Sequence, residues 1–184
     1  MQRFLAANRA FLAQNQDRTP FNHPVCSGLA QRIPCKELAI VTCIDTRLVQ
    51  FLEPALGLSR GEATIIKNAG NIVDGPDSDV LRALVVAVFA QNCTEIAIIG
   101  HTDCGMARLN IQTLAETMRA DGIEQEHTDA QALTAWLGGF SDEADNVLRS
   151  VRMTRDSGKI PARVPIHGLI MDINSGEIRH LLTL

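Results

Sequence analysis

The sequence predicts an α/β fold: a mostly parallel five-stranded sheet flanked by helices, with the last strand antiparallel. Short β-rich apolar runs alternate with helical segments, the pattern of right-handed strand–helix–strand crossovers. The segment Asp79 to Gln91 is apolar nearly all round, as a helix buried against a sheet is. The chain closes on two strand-like runs joined through Asn174-Ser175-Gly176, a hairpin signal.

Taken in order, the elements begin with MQRFLAANRAFLAQNQ. Phe4, Leu5, Phe11 and Leu12 fall on one helical stripe, interrupted by Arg3, Asn8 and Arg9. No continuous apolar stretch of the secretory kind is present, so this is expected to be a structural amphipathic arm of about residues 1–16. The rest is expected to belong with it to a single domain spanning 1–184. Leu38 to Ile44 (LAIVTCI) reads as a buried strand and Ala63 to Ile66 as a second. Gly75-Pro76-Asp77-Ser78 makes a turn and a helix start, and Glu95 to Ile99 is the third strand. Ala107 to Ala120 and Asp129 to Leu137 read as shorter helices, separated by the polar stretch Asp121 to Thr128. Ser141 is a candidate cap for the next helix, with Asp142 and Glu143 in its first turn facing the positive dipole end. Gly158 stops that helix and Pro161 follows. Val164 to Ile173 and Glu177 to Leu182 are the last two strands.

Composition narrows the function classes. The chain has 184 residues, 46% of them hydrophobic, enough for one sizeable core. Its net charge of −4 leaves no basic face for nucleic acid or anionic lipid. Aromatic content is 4% with no Tyr, which argues against a base-stacking surface. The longest apolar run, Ala83 to Ala90, is far short of the roughly 20 residues a membrane span needs. Five cysteines in such a chain suit a reducing cytoplasm, where clustered thiols serve metals or catalysis more than disulfides.

Chemistry is concentrated in two strings, Cys43-Ile44-Asp45-Thr46-Arg47 and His101-Thr102-Asp103-Cys104-Gly105. The first places Cys43, Asp45 and Arg47 at i, i+2 and i+4 at the carboxyl end of a strand, on one face if the chain stays extended. The second places His101 and Cys104 at i and i+3 after another strand, on one side of a single turn. Carboxyl ends of parallel strands are where open α/β sheets carry their sites, so the strings converge if the two strands are neighbours. Two thiolates and one imidazole suit Zn²⁺ rather than Mg²⁺ or Ca²⁺, and three ligands leave a catalytic position open. Asp45 has two options: to take that fourth position, or to pair with Arg47 and leave it to water. Cys93 reads as a small buried hydrophobe, and Cys26 and Cys35 as incidental. His23, His127 and His180 are expected to be exposed, and His167 lies at a strand start.

With these residues in hand, the chain resembles the β-class carbonic anhydrases. The match has the form C-x-D-x-R, N-A-G-N, H-x-x-C-G: Cys43, Asp45 and Arg47; Asn68, Ala69, Gly70 and Asn71; His101, Cys104 and Gly105. The ending Gly168-Leu169-Ile170-Met171-Asp172 with Ser175-Gly176 is similar to the family's closing strands. The resemblance implies reversible hydration of CO₂ to bicarbonate and a proton on one Zn²⁺ per chain. It implies Cys43, His101 and Cys104 as ligands, Asp45 and Arg47 as the catalytic gating dyad, and Gly70, Asn68 and Gly105 at the substrate pocket. It also implies a homodimer or a multiple of dimers, with the N-terminal arm reaching a neighbouring subunit. A regulatory bicarbonate site of the Trp–Arg–Tyr kind is not expected, because Tyr is absent and Trp136 lies beyond the second string. Asp103 stands as a candidate for carrying the proton out.

Hydrolysis of carbonyl sulfide or carbon disulfide is the nearest alternative, since related hydrolases keep the same residues and pocket shape selects among the three linear molecules. A non-catalytic zinc module has no need of the Asp45–Arg47 pair. The Gly-rich signatures of nucleotide binding and the C-x-x-C of redox proteins are absent from the sequence.

Overall fold

In the computed structural model, which describes residues 2–14, 33–123 and 129–184, five hydrophobic runs pair into one sheet. They are β1 (Leu38–Cys43), β2 (Ala63–Asn68), β3 (Glu95–His101), β4 (Ile166–Met171) and β5 (Ile178–Thr183), in the spatial order β2-β1-β3-β4-β5. The first three pairings are parallel and β4 with β5 is antiparallel, as the sequence predicts. Between the strands run α2 (Leu52–Ala55), α3 (Asp79–Ala90), α4 (Ile111–Ala120), α5 (Ala130–Leu137) and α6 (Glu143–Asp156), and α1 (Gln2–Gln14) precedes them all. The chain divides into two compact units, Met1–Arg32 and Ile33–Leu184. In the first unit, α1 leaves Phe4, Leu5, Phe11 and Leu12 exposed.

Strand alternation sends side chains to two cores. Ala39, Val41, Ile96, Ile98 and Ile166 face α3 and α6, meeting Leu81, Leu84, Ala87, Val147 and Val151. Ile40, Ala97 and Ile99 face the other way and meet Leu48, Leu52, Leu58 and Met171. Among the described residues this second face is only partly covered. A groove of ≈ 320 Å³ runs along it, lined by Leu38, Ile40, Leu56, Ala97, Ile99 and Leu169, with Glu95 and His167 also on its wall. Those two pair at 3.1 Å, and His167 Nδ1 lies 2.8 Å from Thr183 Oγ1.

Several local expectations are corrected. α3 is not buried all round: Arg82, Val86 and Phe89 are exposed, because a helix lying on one sheet has one face to bury. Its cap is Ser78, which accepts from the Leu81 amide. Asp142, not Ser141, caps α6 by accepting from Asp145 N, so Glu143 is the first helical residue. The segment from Gly105 is a separate 3-10 turn, Gly105–Arg108, followed by α4 capped by Asn110. Cys93 is buried as expected, and burial pushes its thiol up. His180 is exposed as expected. Cys35 is not incidental, since it is disulfide-bonded. Cys26, His23 and His127 lie outside the described residues. Among the described residues no helix is long and apolar enough to cross a membrane.

Candidate metal centre

β1 lies between β2 and β3, so the chain leaves β1 to one side and returns on the other, which opens a crevice at the carboxyl ends of β1 and β3. Cys43 is the last residue of β1, which stops one residue short of the Ile44 read from the sequence, and His101 is the last of β3, which runs two residues past Ile99. Thr102 and Asp103 turn the chain, and Cys104 opens the 3-10 turn that follows. The turn at Asp103 uses the left-handed region, φ 56°, which Asp tolerates better than most residues. All three residues are buried, and one donor atom from each lies within 4.8 Å of the others.

The donor geometry fits zinc. Cys43 Sγ and Cys104 Sγ are 3.9 Å apart. Two sulfurs about 2.3 Å from one tetrahedral zinc are about 3.8 Å apart. His101 Nδ1 donates to the Thr102 carbonyl at 2.9 Å, which leaves the Nε2 lone pair for a metal. Nε2 is buried without a hydrogen-bond partner among the described residues, an expensive state unless a cation completes it. The adjoining Cys104 lowers the Cys43 thiol to about 4, assisted by His101 and the Gly70 amide against the effect of burial. Cys104 is driven the other way by the same contact and by burial. Burial pushes His101 down, but the Cys43 sulfur and the Thr102 carbonyl more than offset it and leave the imidazole raised. A cation needs two thiolates and a neutral imidazole, so its binding there would release whatever protons these groups carry.

The Asp45–Arg47 pair does not arise from an extended chain. β1 ends at Cys43, and Asp45 caps a 3-10 turn, Thr46–Leu48, by accepting from the Arg47 amide at 2.9 Å. The turn curls the Arg47 guanidinium back onto the carboxylate. Nε donates to Oδ1 at 3.0 Å and an amino group donates to Oδ2 at 2.8 Å. These bonds hold the carboxyl down at about 2. Asp45 Oδ2 stands 3.8 Å from His101 Nε2, beside the donor set but engaged with Arg47. Of the two options open at the sequence level, this is the paired one.

The remaining residues fall into place around this cluster. The loop after β2 turns at Gly70, φ 73°, and its amide donates to Cys43 Sγ at 3.4 Å. A Cβ there would sit 2.7 Å from Phe140 Cε1, so the close approach requires glycine. Asn68 spends both ends of its amide on Ile72, closing that loop. Gly105 is exposed, and a Cβ on it would meet open space. Asp103 is clasped by Arg47 and Arg108, with both carboxylate oxygens engaged.

Sequence reasoning missed the contribution of α6. Glu143 accepts from the Cys104 amide at 3.1 Å. Asn146 donates to the Gly70 carbonyl at 2.7 Å. Ser150 accepts from the Val73 amide and donates to the Asn71 carbonyl. One helix thus braces both cysteine-bearing segments. It can approach because Gly100 has no side chain; a Cβ there would meet Val147 Cγ2 at 2.6 Å. The available signal was the i, i+3, i+7 spacing of Glu143, Asn146 and Ser150, a polar row on the face that also buries Val147.

Residues 38–178 match the family model described as "Carbonic anhydrase". The crystal structure of β-carbonic anhydrase isoform I from the protozoan Trichomonas vaginalis superposes with a TM-score of 0.86 at 37% identity, covering 98% of this chain and 96% of that one. A carbonic anhydrase from Streptococcus mutans superposes at 0.76 with 30% identity, over 98% and 96% of the two chains. A carbon disulfide hydrolase from Acidithiobacillus thiooxidans is 28% identical over 157 residues, 78% of this chain and 76% of its own.

Proposed function

Because the chain belongs to the β-carbonic anhydrase family, we propose that it carries out the reversible hydration of CO₂ to bicarbonate and a proton with one Zn²⁺ per chain. The observation that carries this reading is the convergence of Cys43 Sγ, Cys104 Sγ and His101 Nε2, which has no hydrogen-bond partner among the described residues, beside the Asp45–Arg47 pair. Cys43, His101 and Cys104 would hold the ion. When bound, zinc supplies the Lewis acidity that makes water a nucleophile near neutral pH.

The chain's own residues do the rest. Arg47 keeps Asp45 ionised and holds its carboxylate at the edge of the donor set. From there Asp45 can accept a hydrogen bond from the attacking water and aim a lone pair at the carbon. The Gly70 amide tempers the charge on Cys43 Sγ, and the Thr102 carbonyl holds the His101 tautomer. The water oxygen adds to the carbon of CO₂ and its proton leaves to buffer. Asn68 and Gly105 serve by shaping the two loops beside the donors.

Carbonyl sulfide and carbon disulfide are the second reading, favoured by the likeness to the Acidithiobacillus hydrolase. Assaying zinc-loaded protein on all three gases decides it: CO₂ is expected to give the highest kcat/KM, and a higher value on either sulfur gas reverses the assignment. Two further proposals accompany this reading. A homodimer, or a multiple of it, is supported by the apolar residues exposed on α1 and by the apolar sheet groove that the described residues leave open in the larger unit. Sedimentation analysis is expected to give at least twice the chain mass of 20.0 kDa. A cytoplasmic setting is supported by the free thiols Cys43, Cys93 and Cys104; the disulfide at Cys35 is the observation on the other side.

A further inference from the structure

Arg47 is held on two flanks. One faces Asp45, as described. On the other, its second amino group donates to Asp103 Oδ2 at 2.8 Å, and the amino group that meets Asp45 also donates to the Asp103 carbonyl at 2.8 Å. Asp103 is itself fixed, because Arg108 donates to its free Oδ1 at 2.9 Å. The result is an alternating series, Asp45–Arg47–Asp103–Arg108, that runs from the metal donors to a side chain 72% exposed to solvent.

We infer that Asp103, braced by Arg108, is a positioning residue that clamps Arg47 and so keeps Asp45 drawn back in the ion pair. Asp45 and Arg47 sit on one short exposed turn, and their mutual bonds alone would let them move as a unit. Asp103 belongs instead to the loop between His101 and Cys104. Its two acceptors therefore tie Arg47 to the ligand loop, so the distance from Asp45 to the donors is set by both strings together. With both oxygens occupied by guanidinium groups, Asp103 serves as an anchor and not as the proton carrier the sequence allows.

The kinetic part of this inference rests on the proposed zinc chemistry; the clamp itself does not. Asp103→Asn is the informative variant, because Asn accepts the left-handed backbone at φ 56° while the charge and one of the two acceptor oxygens are lost. Arg108→Ala removes the brace from an exposed position without risk to folding, and Arg108→Lys restores a charge there. Three quantities are measured on each: zinc per chain, hydrogen exchange of the Arg47 Nε–H by NMR, and kcat and KM separately. Asp103→Asn is expected to retain zinc, to speed Arg47 exchange about tenfold and to lower kcat about tenfold with little change in KM. Arg108→Ala should move the same way by less, and Arg108→Lys should recover most of the loss.

Unchanged Arg47 exchange in both Asp103→Asn and Arg108→Ala would overturn the clamp. Faster exchange with wild-type kcat would overturn the positioning role. Loss of zinc in Asp103→Asn beside a fully wild-type Arg108→Ala would assign Asp103 to the ligand loop instead. Absence of CO₂ hydration in the zinc-loaded wild type would count against the proposed function alone, and the exchange measurement would still decide the clamp.

Discussion

His101 carries no exposed side-chain surface, yet its Nε2 has no hydrogen-bond partner among the described residues. A buried orphan of this kind costs roughly 1–3 kcal/mol unless something completes it. Cys43 and Cys104 stand where a cation would do so, and each residue offers one donor atom to the same point. Replacing Cys43, His101 or Cys104 by Ala is therefore expected to abolish zinc and activity together, with zinc read by elemental analysis; a variant that kept full zinc would leave the ligand set. Asp45→Asn should separate the two properties. Zinc is expected to stay while turnover falls by at least about tenfold, because the water loses a charged acceptor and Arg47 its partner. Wild-type turnover in Asp45→Asn would take the dyad out of the chemistry.

The elements contribute by holding loops. α6 reaches Cys104 through Glu143 and Cys43 through Asn146 and the Gly70 amide, with Asn146 and Gly70 both buried. Asn146→Ala leaves the Gly70 carbonyl without that donor. It is expected to cost about 1–3 kcal/mol in chemical denaturation and to weaken zinc about tenfold or more in chelator competition. Unchanged zinc affinity would confine α6 to packing. At the same carboxyl end of the sheet, where Met171 pairs with His101, Asp172 closes the β4–β5 hairpin by accepting from the Ser175 and Asn174 amides and the Ser175 hydroxyl. The Ser175 amide leads the bonds that hold its carboxyl below the usual carboxylate range. The sign follows from that direction. A depressed folded-state pKa stabilises fully above the unfolded value of about 3.9 and fades as the pH falls through the folded one. Asp172→Ala is thus expected to be less stable than wild type at pH 7, with the gap narrowing below about pH 4. Equal gaps at pH 7 and pH 3 would show that the charge plays no part.

At the scale of the molecule, the donor set draws on two strings 61 residues apart that the sheet order alone brings side by side. Zinc that binds only the folded chain must raise the unfolding temperature, by about 4 kcal/mol of stability when it exceeds its dissociation constant a thousandfold. Calorimetry with and without a chelator is expected to show that shift, and coincident transitions would mean that the site holds no metal. Much of this was legible beforehand. The five strands and the antiparallel last pairing follow from apolar period and turn residues, which act over a few neighbours. Cys43, His101, Cys104, Asp45 and Arg47 stood out because thiolate, imidazole and carboxylate at those spacings have few other uses. The chain alone could not say whether Asp45 meets the metal position or Arg47, that Asp103 and Arg108 extend the pair to solvent, or that α6 braces both thiolates. Each of these depends on a contact between segments 39 to 76 residues apart, or on a turn where an extended strand was expected. Local chemistry chose the donors and the fold class, because spacing and residue type are written in neighbouring positions. Which partner each donor meets was decided only when the sheet closed the distance, because long-range geometry has no local signature.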